Sequence, residues 1–301
     1  MEIKYINYKK FNKFDKELTA AIGNFDGLHL GHAALINEAV KFKNNAVITF
    51  SPHPSQLLLD IKNYKYLTPL EKKEELLSAF SLDYLLVVDF DNKLKNLSIM
   101  EFISFLRSLN IKRIVCGFDF TFGYKGLGTV KDLEKYIDVV CVPKVAYNQT
   151  KISSSFIKKL LQDGNLTLAN KLLNRNYSIS GKIIYGNQVG RTIGYRTANF
   201  DYKNYFLPKN GVYAGYVIYK DIKYAAMINI GNNPTLNYVH EKRLEAHIID
   251  FDADLYGEVM EVFFLKRLRE EIKFDSKEEL LSYLDKDKED SIKIFNESDG
   301  K

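Results

Sequence analysis

The stretch Ala21-Ile22-Gly23-Asn24-Phe25-Asp26-Gly27-Leu28-His29-Leu30-Gly31-His32 constrains this chain more than any other. It continues an apolar run, Leu18 to Ile22, that reads as a buried strand. It leads into Ala33 to Val40, which reads as a helix. A strand, a glycine-rich turn and a helix start together make an anion site. Glycine lets the backbone approach the ligand, and the N–H groups and dipole of the helix start attract negative charge. Gly23, Asn24, Phe25, Asp26, Gly27 and Gly31 are the candidate phosphate-binding residues of that turn. His29 and His32 stand three apart at the helix start, a spacing that puts two side chains on one face. Both rings can then reach one phosphate chain, and their N–H groups can donate to oxygens that gain charge in a reaction.

The rest of the composition narrows the class. A length of 301 residues fits about two domains, and a 46% hydrophobic share supplies sizeable cores. Lys plus Arg number 43 against 38 Asp plus Glu, a net charge of +5 with no basic stripe. That mild excess suits phosphorylated small molecules and gives no sign of a nucleic-acid partner. Cys116 and Cys141 sit in apolar runs and read as small core residues, without zinc spacing or a disulfide framework. The N-terminal residues lack a basic segment followed by an apolar one, and no apolar run approaches the ~18 residues of a membrane span. The expectation is a cytoplasmic protein with no membrane partner, a monomer or weak homo-oligomer.

Strand and helix signals alternate through the first half. Asn45–Phe50, Tyr84–Phe90, Arg113–Gly117 and 138–143 read as strands. Thr68-Pro69-Leu70-Glu71 and Ser98-Ile99-Met100-Glu101 read as capping boxes that open helices to about Phe80 and Leu109. This alternation predicts a Rossmann-like parallel sheet with helices on its faces, whose ligands bind beyond the C-terminal strand ends. After about residue 150 come two short helices, Ser153–Gln162 and Leu166–Leu173. Strand-like runs follow at 177–185, 211–219, 224–230, 244–251 and 259–265, joined by Gly, Asn, Asp and Pro. They predict an antiparallel β-barrel, closed by a C-terminal helix over 277–284 and a charged tail. The domain boundary is placed between residues 175 and 176.

Three more segments in the first half carry polar chemistry. Phe50-Ser51-Pro52-His53-Pro54 follows a strand, and its prolines stiffen a loop in which His53 can meet a ligand. Gly117-Phe118-Asp119-Phe120-Thr121-Phe122-Gly123 offers rings that suit either a planar ligand or the core. Ile152-Ser153-Ser154-Ser155-Phe156-Ile157-Lys158 opens a helix with hydroxyls that suit either phosphates or capping. In this order the four segments resemble the adenylyltransferase module of bacterial bifunctional riboflavin kinase/FAD synthetases. The motifs there read GxFDGxHxGH, FxPHP, GxDFxFG and ISSTxIR. The resemblance implies transfer of AMP from ATP to FMN, giving FAD and pyrophosphate. It implies His29 and His32 as catalytic residues and Ser153, Ser154, Ser155 and Lys158 as ATP-phosphate ligands. It further implies His53, Pro54, Asp119 and Phe120 near the flavin. This chain departs from the pattern at Thr121, Phe156 and Lys158, where the family carries Arg, and at Ser155 in place of Thr.

The second half adds its own pattern. Gly181, Gly186, Gly190 and Gly194 precede Thr197-Ala198-Asn199, and spaced glycines of this kind suit either β-turns or a phosphate loop. Leu244-Glu245-Ala246-His247 puts Glu245 and His247 on one face of a strand, and the expectation places that face inward. With Leu207–Tyr213, Asn229–Thr235, Asp254–Gly257 and Leu268–Phe274 in collinear order, this half resembles the riboflavin kinase module of the same family. The resemblance implies that the four glycines, Thr197 and Asn199 bind ATP, and that Thr197 and Asn199 hold Mg²⁺. It implies Glu245 as the base for the ribityl hydroxyl and Arg269 near the flavin. Arg196 stands where the family motif has Pro, which is expected to loosen that loop. The expected protein makes FMN from riboflavin and FAD from FMN, with riboflavin, FMN and ATP as its small-molecule partners. The alternatives are a chain with one active module, or a flavin-binding regulator on the same fold.

Overall fold

The computed structural model describes residues 1–9, 13–186, 194–232 and 242–300. The chain divides into two compact units, residues 1–154 and 155–301.

The first unit runs β1 (Glu2–Ile6), β2 (Leu18–Ile22), α1 (Leu30–Ala39), β3 (Asn45–Ser51), α2 (Pro54–Leu58), α3 (Leu70–Ser78), β4 (Tyr84–Asp89), α4 (Asn92–Lys95), α5 (Ile99–Ser108) and β5 (Ile111–Gly117). It continues with β6 (Thr121–Phe122), β7 (Gly128–Thr129), α6 (Val130–Glu134), β8 (Asp138–Val142), β9 (Ala146–Tyr147) and β10 (Thr150–Lys151). Six strands form one sheet in the order β1-β4-β3-β2-β5-β8, with every pair parallel. The strands read as unbroken apolar runs because both faces are covered. Ala20, Ile22, Ala46, Ile48, Leu86 and Val88 enter the core that includes Phe102 and Leu106 of α5. The alternate residues Ala21, Val47, Leu85 and Val87 enter the opposite core, with Ile36 and Ala39 of α1. From β2 the chain steps to β3 and β4 on one side, then returns to place β5 on the other. The strand order therefore reverses between β2 and β5, and a crevice opens at the C-terminal ends of those strands.

The second unit carries α7 (Ser154–Asp163, opening where the units meet in sequence), α8 (Leu166–Leu173), β11 (Tyr177–Ile184), β12 (Ala198–Asp201), β13 (Gly211–Tyr219), β14 (Ile222–Asn232), β15 (Lys242–Ile248), β16 (Val259–Arg269) and α9 (Lys277–Asp299). The six strands close into an antiparallel barrel in the order β11-β12-β15-β14-β13-β16. Its interior holds Ile179, Tyr213, Val217, Ile228, Leu244, Ala246, Val262 and Phe264, each at most 1% exposed.

Four expectations are corrected. Thr68 does not cap α3: Pro69 is the N-cap and no side chain bonds there. The Thr68 hydroxyl instead accepts the Gly27 N–H at 2.7 Å. The C-terminal helix does not stop at Leu284 but continues to Asp299 through the charged segment. That segment lacks an apolar stripe because Asp287 and Ser291 are its buried residues, and Asp287 is ion-paired to Arg269 of β16. Cys141 is exposed, since β8 is the sheet edge, whereas Cys116 across from it is buried. Burial pushes the Cys116 thiol up to about 12. Glu245 and His247 do share a face, but it is the outer one, because Leu244, Ala246 and Ile248 fill the barrel.

Candidate active sites

The crevice of the first unit is a cavity of about 650 Å³. Gly23, Asn24, His29, Gly31 and His32, leaving β2, form one wall, and Phe118, Asp119, Phe120 and Thr121, leaving β5, form another. Pro54, Lys151, Ser153 and Ser154 complete it. All four sequence segments therefore contribute to one cavity.

His29 is the N-cap of α1, not a residue of the helix, and its Nδ1 accepts the His32 N–H at 3.3 Å. An accepting Nδ1 fixes the neutral tautomer with its proton on Nε2. The His32 ring stacks on it, with centroids 3.7 Å apart and planes 16° from parallel. A Cβ on Gly31 would lie 3.2 Å from the His29 ring and 3.4 Å from the Ile152 carbonyl. Position 31, next to His32, is therefore glycine for reasons of space.

Phe25, Asp26 and Gly27 lie behind the cavity wall. Phe25 and Leu28 are left-handed, with φ of +50° and +42°, and Gly27 has φ of +92°. Non-glycine residues there cost about 1–2 kcal/mol each. Buried bonds hold the turn against that cost. Asp26 Oδ1 accepts the N–H groups of Leu67 and Thr68 at 2.8 and 3.0 Å. Ser154 Oγ donates to the Asp26 carbonyl at 2.7 Å, tying the serine segment to the histidine segment. Thr68→Val keeps the volume and leaves the Gly27 N–H unbonded. The expected result is a loss of about 1–3 kcal/mol in denaturant unfolding, together with weaker turnover at this cavity.

His53 is also a cap. Its Nδ1 accepts the Ser55 N–H at 3.1 Å, and its ring stacks on Tyr64 at 4.4 Å, so it supports the loop that brings Pro54 to the cavity. Burial and the Asp26 carboxylate raise the Tyr64 phenol well above its ordinary value. Asp119 is ion-paired to Lys151 on the cavity wall. Ser155 and Lys158 belong to the second unit, where the Lys158 ammonium lies 5.7 Å from the centre of the Phe206 ring.

The register of the barrel sets out a second candidate site. Asn199 of β12 lies opposite Glu245 of β15, which lies opposite Asn229 of β14. Asn229 pairs with Val212 of β13, and Val212 with Arg269 of β16. One lateral row on the outer face therefore runs Asn199, Glu245, Asn229, Val212, Arg269. Burial lifts the Glu245 carboxyl above its ordinary value, and Arg243, at 3.4 Å, pulls it back. A Cβ on Gly186 would come within 2.2 Å of the Asn199 amide, so glycine makes room for that side chain. Gly181 lies in β11 against Asp201, Gly194 is left-handed with φ of +84°, and Gly190 lies outside the described residues. Thr197 lines a second cavity of about 320 Å³ with Arg196, Asp252, Asp254 and Tyr256.

Arg196 is ion-paired to Asp252, its carbonyl lies 2.7 Å from His247 Nδ1, and Tyr195 bonds to Asp285. Arg269 is committed to Asp287, with N–O distances of 2.7 to 3.1 Å, and lies over the Phe274 and Tyr283 rings.

A family model described as FAD synthetase matches residues 11–156, and one described as riboflavin kinase matches residues 173–295. A bifunctional riboflavin kinase/FMN adenylyltransferase of Listeria monocytogenes is 39% identical over 287 residues, covering 91% of this chain and 91% of the relative. The chain belongs to the bifunctional riboflavin kinase/FMN adenylyltransferase family. The enzyme of that name from Bacillus subtilis is 39% identical over 293 residues, covering 92% of each chain. A solved structure described as a macrolide-efflux protein from Streptococcus pneumoniae matches with a TM-score of 0.85 at 33% identity, covering 96% of this chain and 98% of that one. Among the described residues no helix is long and apolar enough to cross a membrane.

Three residues beside the two candidate sites were given no role by the sequence reading. Asn229 completes the row beside Glu245. Asp287 occupies Arg269. Lys73 is buried behind the Asn24 turn. The Asn229–Thr235 segment marked the first, and strand register sets it beside Glu245. The other two sit in charged helical segments that read as solvated.

Proposed function

We propose that this chain converts riboflavin to FMN at the Glu245 row and FMN to FAD at the His29–His32 cavity. Its family membership makes it a riboflavin kinase and FMN adenylyltransferase. The proposal adds which residues act, and how. The observation that supports it best is the gathering of all four N-terminal segments around one cavity at the sheet's reversal point. The proposed modules are residues 1–175 and 176–301, supported by the spans of the two family matches. Each module is matched by its own family model, so neither the one-module nor the regulatory alternative is adopted.

At the cavity an FMN phosphate oxygen attacks the α-phosphorus of ATP. The new P–O bond forms as the α–β bridging bond breaks, and pyrophosphate leaves. FMN phosphate is already a nucleophile, so positioning and charge stabilisation supply the catalysis. The His29 ring, fixed with its proton on Nε2, and the His32 ring stacked on it donate to the phosphate oxygens. Gly23, Asn24 and Gly31 shape the wall, while Phe25, Asp26 and Gly27 hold its curvature. Ser153 and Ser154 border the phosphates, and Ser155 and Lys158 extend that segment. Phe120, Pro54 and Asp119 border the flavin, and His53 supports the loop that carries Pro54.

At the barrel Glu245 takes the proton from the ribityl 5′-hydroxyl as that oxygen bonds to the γ-phosphorus of ATP, and ADP leaves. The residues present fit a magnesium ion, a hard cation satisfied by a few protein oxygens plus substrate phosphates. The Asn199 amide oxygen, next to Glu245 in the row, and the Thr197 hydroxyl would hold it, and when bound it neutralises phosphate charge. Gly186 gives Asn199 its space. Arg269 keeps α9 against the barrel through Asp287. The enzyme acts as a cytoplasmic monomer or weak homo-oligomer.

Chromatography of products after incubation with riboflavin, ATP and Mg²⁺ tests this reading. FMN followed by FAD is the expected outcome. FMN without FAD, or FAD only when FMN is supplied, would contradict it.

A further inference from the structure

The first unit contains a buried cation that the mechanism above does not use. Lys73 lies in α3 and is 3% exposed. Its ammonium donates to the Asn24 carbonyl at 2.7 Å and to Thr49 Oγ1 at 3.0 Å. Thr49 Oγ1 also donates to that carbonyl at 3.1 Å. Both partners of Lys73 are neutral oxygens, so no carboxylate is bonded to the charge. Asn24 lines the cavity on its other side. The charge therefore stands one peptide behind the wall that receives the phosphates.

The placement is costly to the fold. Burial lowers the Lys73 ammonium to about 8, although Asp26 and Glu74 draw it upward. A methionine would fill comparable space without a buried charge. A buried ammonium with only neutral partners stabilises the fold poorly, but an anion in the adjoining cavity would complement it.

We propose that Lys73 is a positioning residue of the adenylyl-transfer site, holding the Gly23–Asn24 turn and supplying fixed positive charge behind the triphosphate of ATP. This rests on reading the His29–His32 cavity as the site of FAD synthesis. A single charge acting across a few ångströms of poorly hydrated protein changes anion affinity by about tenfold or more. The groups facing the ammonium are Asp26 from the turn after β2, Glu74 from its own helix and the Thr49 hydroxyl from β3. Tyr64 and Tyr66 lie beyond Asp26, and both phenols are raised, so they stay neutral while Lys73 titrates. Lys73 carries charge below its lowered value and loses it as pH rises through about 8. ATP recognition by the free enzyme should weaken over that range.

The test uses full-length wild type, Lys73→Met and Lys73→Arg. It measures FAD synthesis from FMN with ATP varied between pH 6.5 and 9.5, riboflavin kinase activity in the same samples, and thermal unfolding. Lys73→Met should raise the KM for ATP in FAD synthesis about tenfold or more, with a smaller change in kcat. Its kinase activity should be unchanged and its Tm equal or higher. The wild-type fall in kcat/KM for ATP above about pH 8 should vanish in Lys73→Met and move to higher pH in Lys73→Arg. A wild-type KM and an unchanged alkaline fall in Lys73→Met would overturn the inference, as would equal loss of both activities with a lower Tm. Failure of the underlying reading shows separately, as FAD synthesis that survives His32→Ala.

Discussion

His32→Ala lowers FAD synthesis from FMN by about a hundred- to a thousandfold and leaves FMN synthesis from riboflavin at its wild-type rate. That factor is the usual effect of removing one preorganised donor from a site where charge develops. The His32 ring lies on the cavity wall, stacked on a His29 ring whose tautomer is set by the His32 N–H. Alanine keeps that N–H, so the cap and the His29 tautomer survive and the loss falls on the donated proton. His29→Asn separates the two roles of its residue. Asparagine is a good N-cap, so Tm should hold while FAD synthesis falls. Steady-state assays of each half-reaction on the same preparation provide the check. A parallel fall in both half-reactions would show that the cavity is not a separate site.

Glu245→Gln has the second large effect. FMN synthesis should fall by about a hundred- to ten-thousandfold, the range for loss of a general base, while FAD synthesis from FMN is retained. The variant should fold well, as the sign of the pKa shift shows. Burial raises the Glu245 carboxyl, so the folded state binds its proton more tightly than the unfolded state does. The ionised group therefore costs stability once pH exceeds its unfolded value, and glutamine removes that cost. The same shift places the acid limb of kinase activity above the usual carboxylate range, with activity gained as pH rises through it. A Glu245→Gln enzyme with wild-type FMN synthesis would assign the base elsewhere.

What was legible in the sequence follows from where the signals are local. The parallel strands announce themselves because both faces are buried, as Ala20 and Ala21 or Leu86 and Val87 show by entering opposite cores. The Ser98 capping box forms with both of its bonds, which join residues three apart in sequence. Thr68 carries the same local pattern and fails, because the distant Gly27 N–H takes its hydroxyl. No window around residue 68 contains that information. The charged half of α9 is hidden for the same reason, since its fully buried positions are Asp287, paired to Arg269 of β16, and Ser291 rather than apolar residues. Strands β1 and β12 were not foreseen either. β1 is an edge strand with four exposed residues, and β12 has only four residues, Ala198 to Asp201. The proposed site residues His29, His32 and Glu245 could be named from the sequence. Their surroundings depend on tertiary register: the His29 cap, the Asn199–Glu245–Asn229 row, and the Lys73 charge behind Asn24.

The central claim is that two independent sites, one in each unit, act in succession on one flavin. Mixing pure His32→Ala with pure Glu245→Gln and supplying riboflavin, ATP and Mg²⁺ tests it most directly. Each protein alone should stop, the first at FMN and the second at unreacted riboflavin. Together they should yield FAD, because FMN released by one is adenylylated by the other. A mixture that yields no FAD, or either substitution abolishing both half-reactions, would contradict the account.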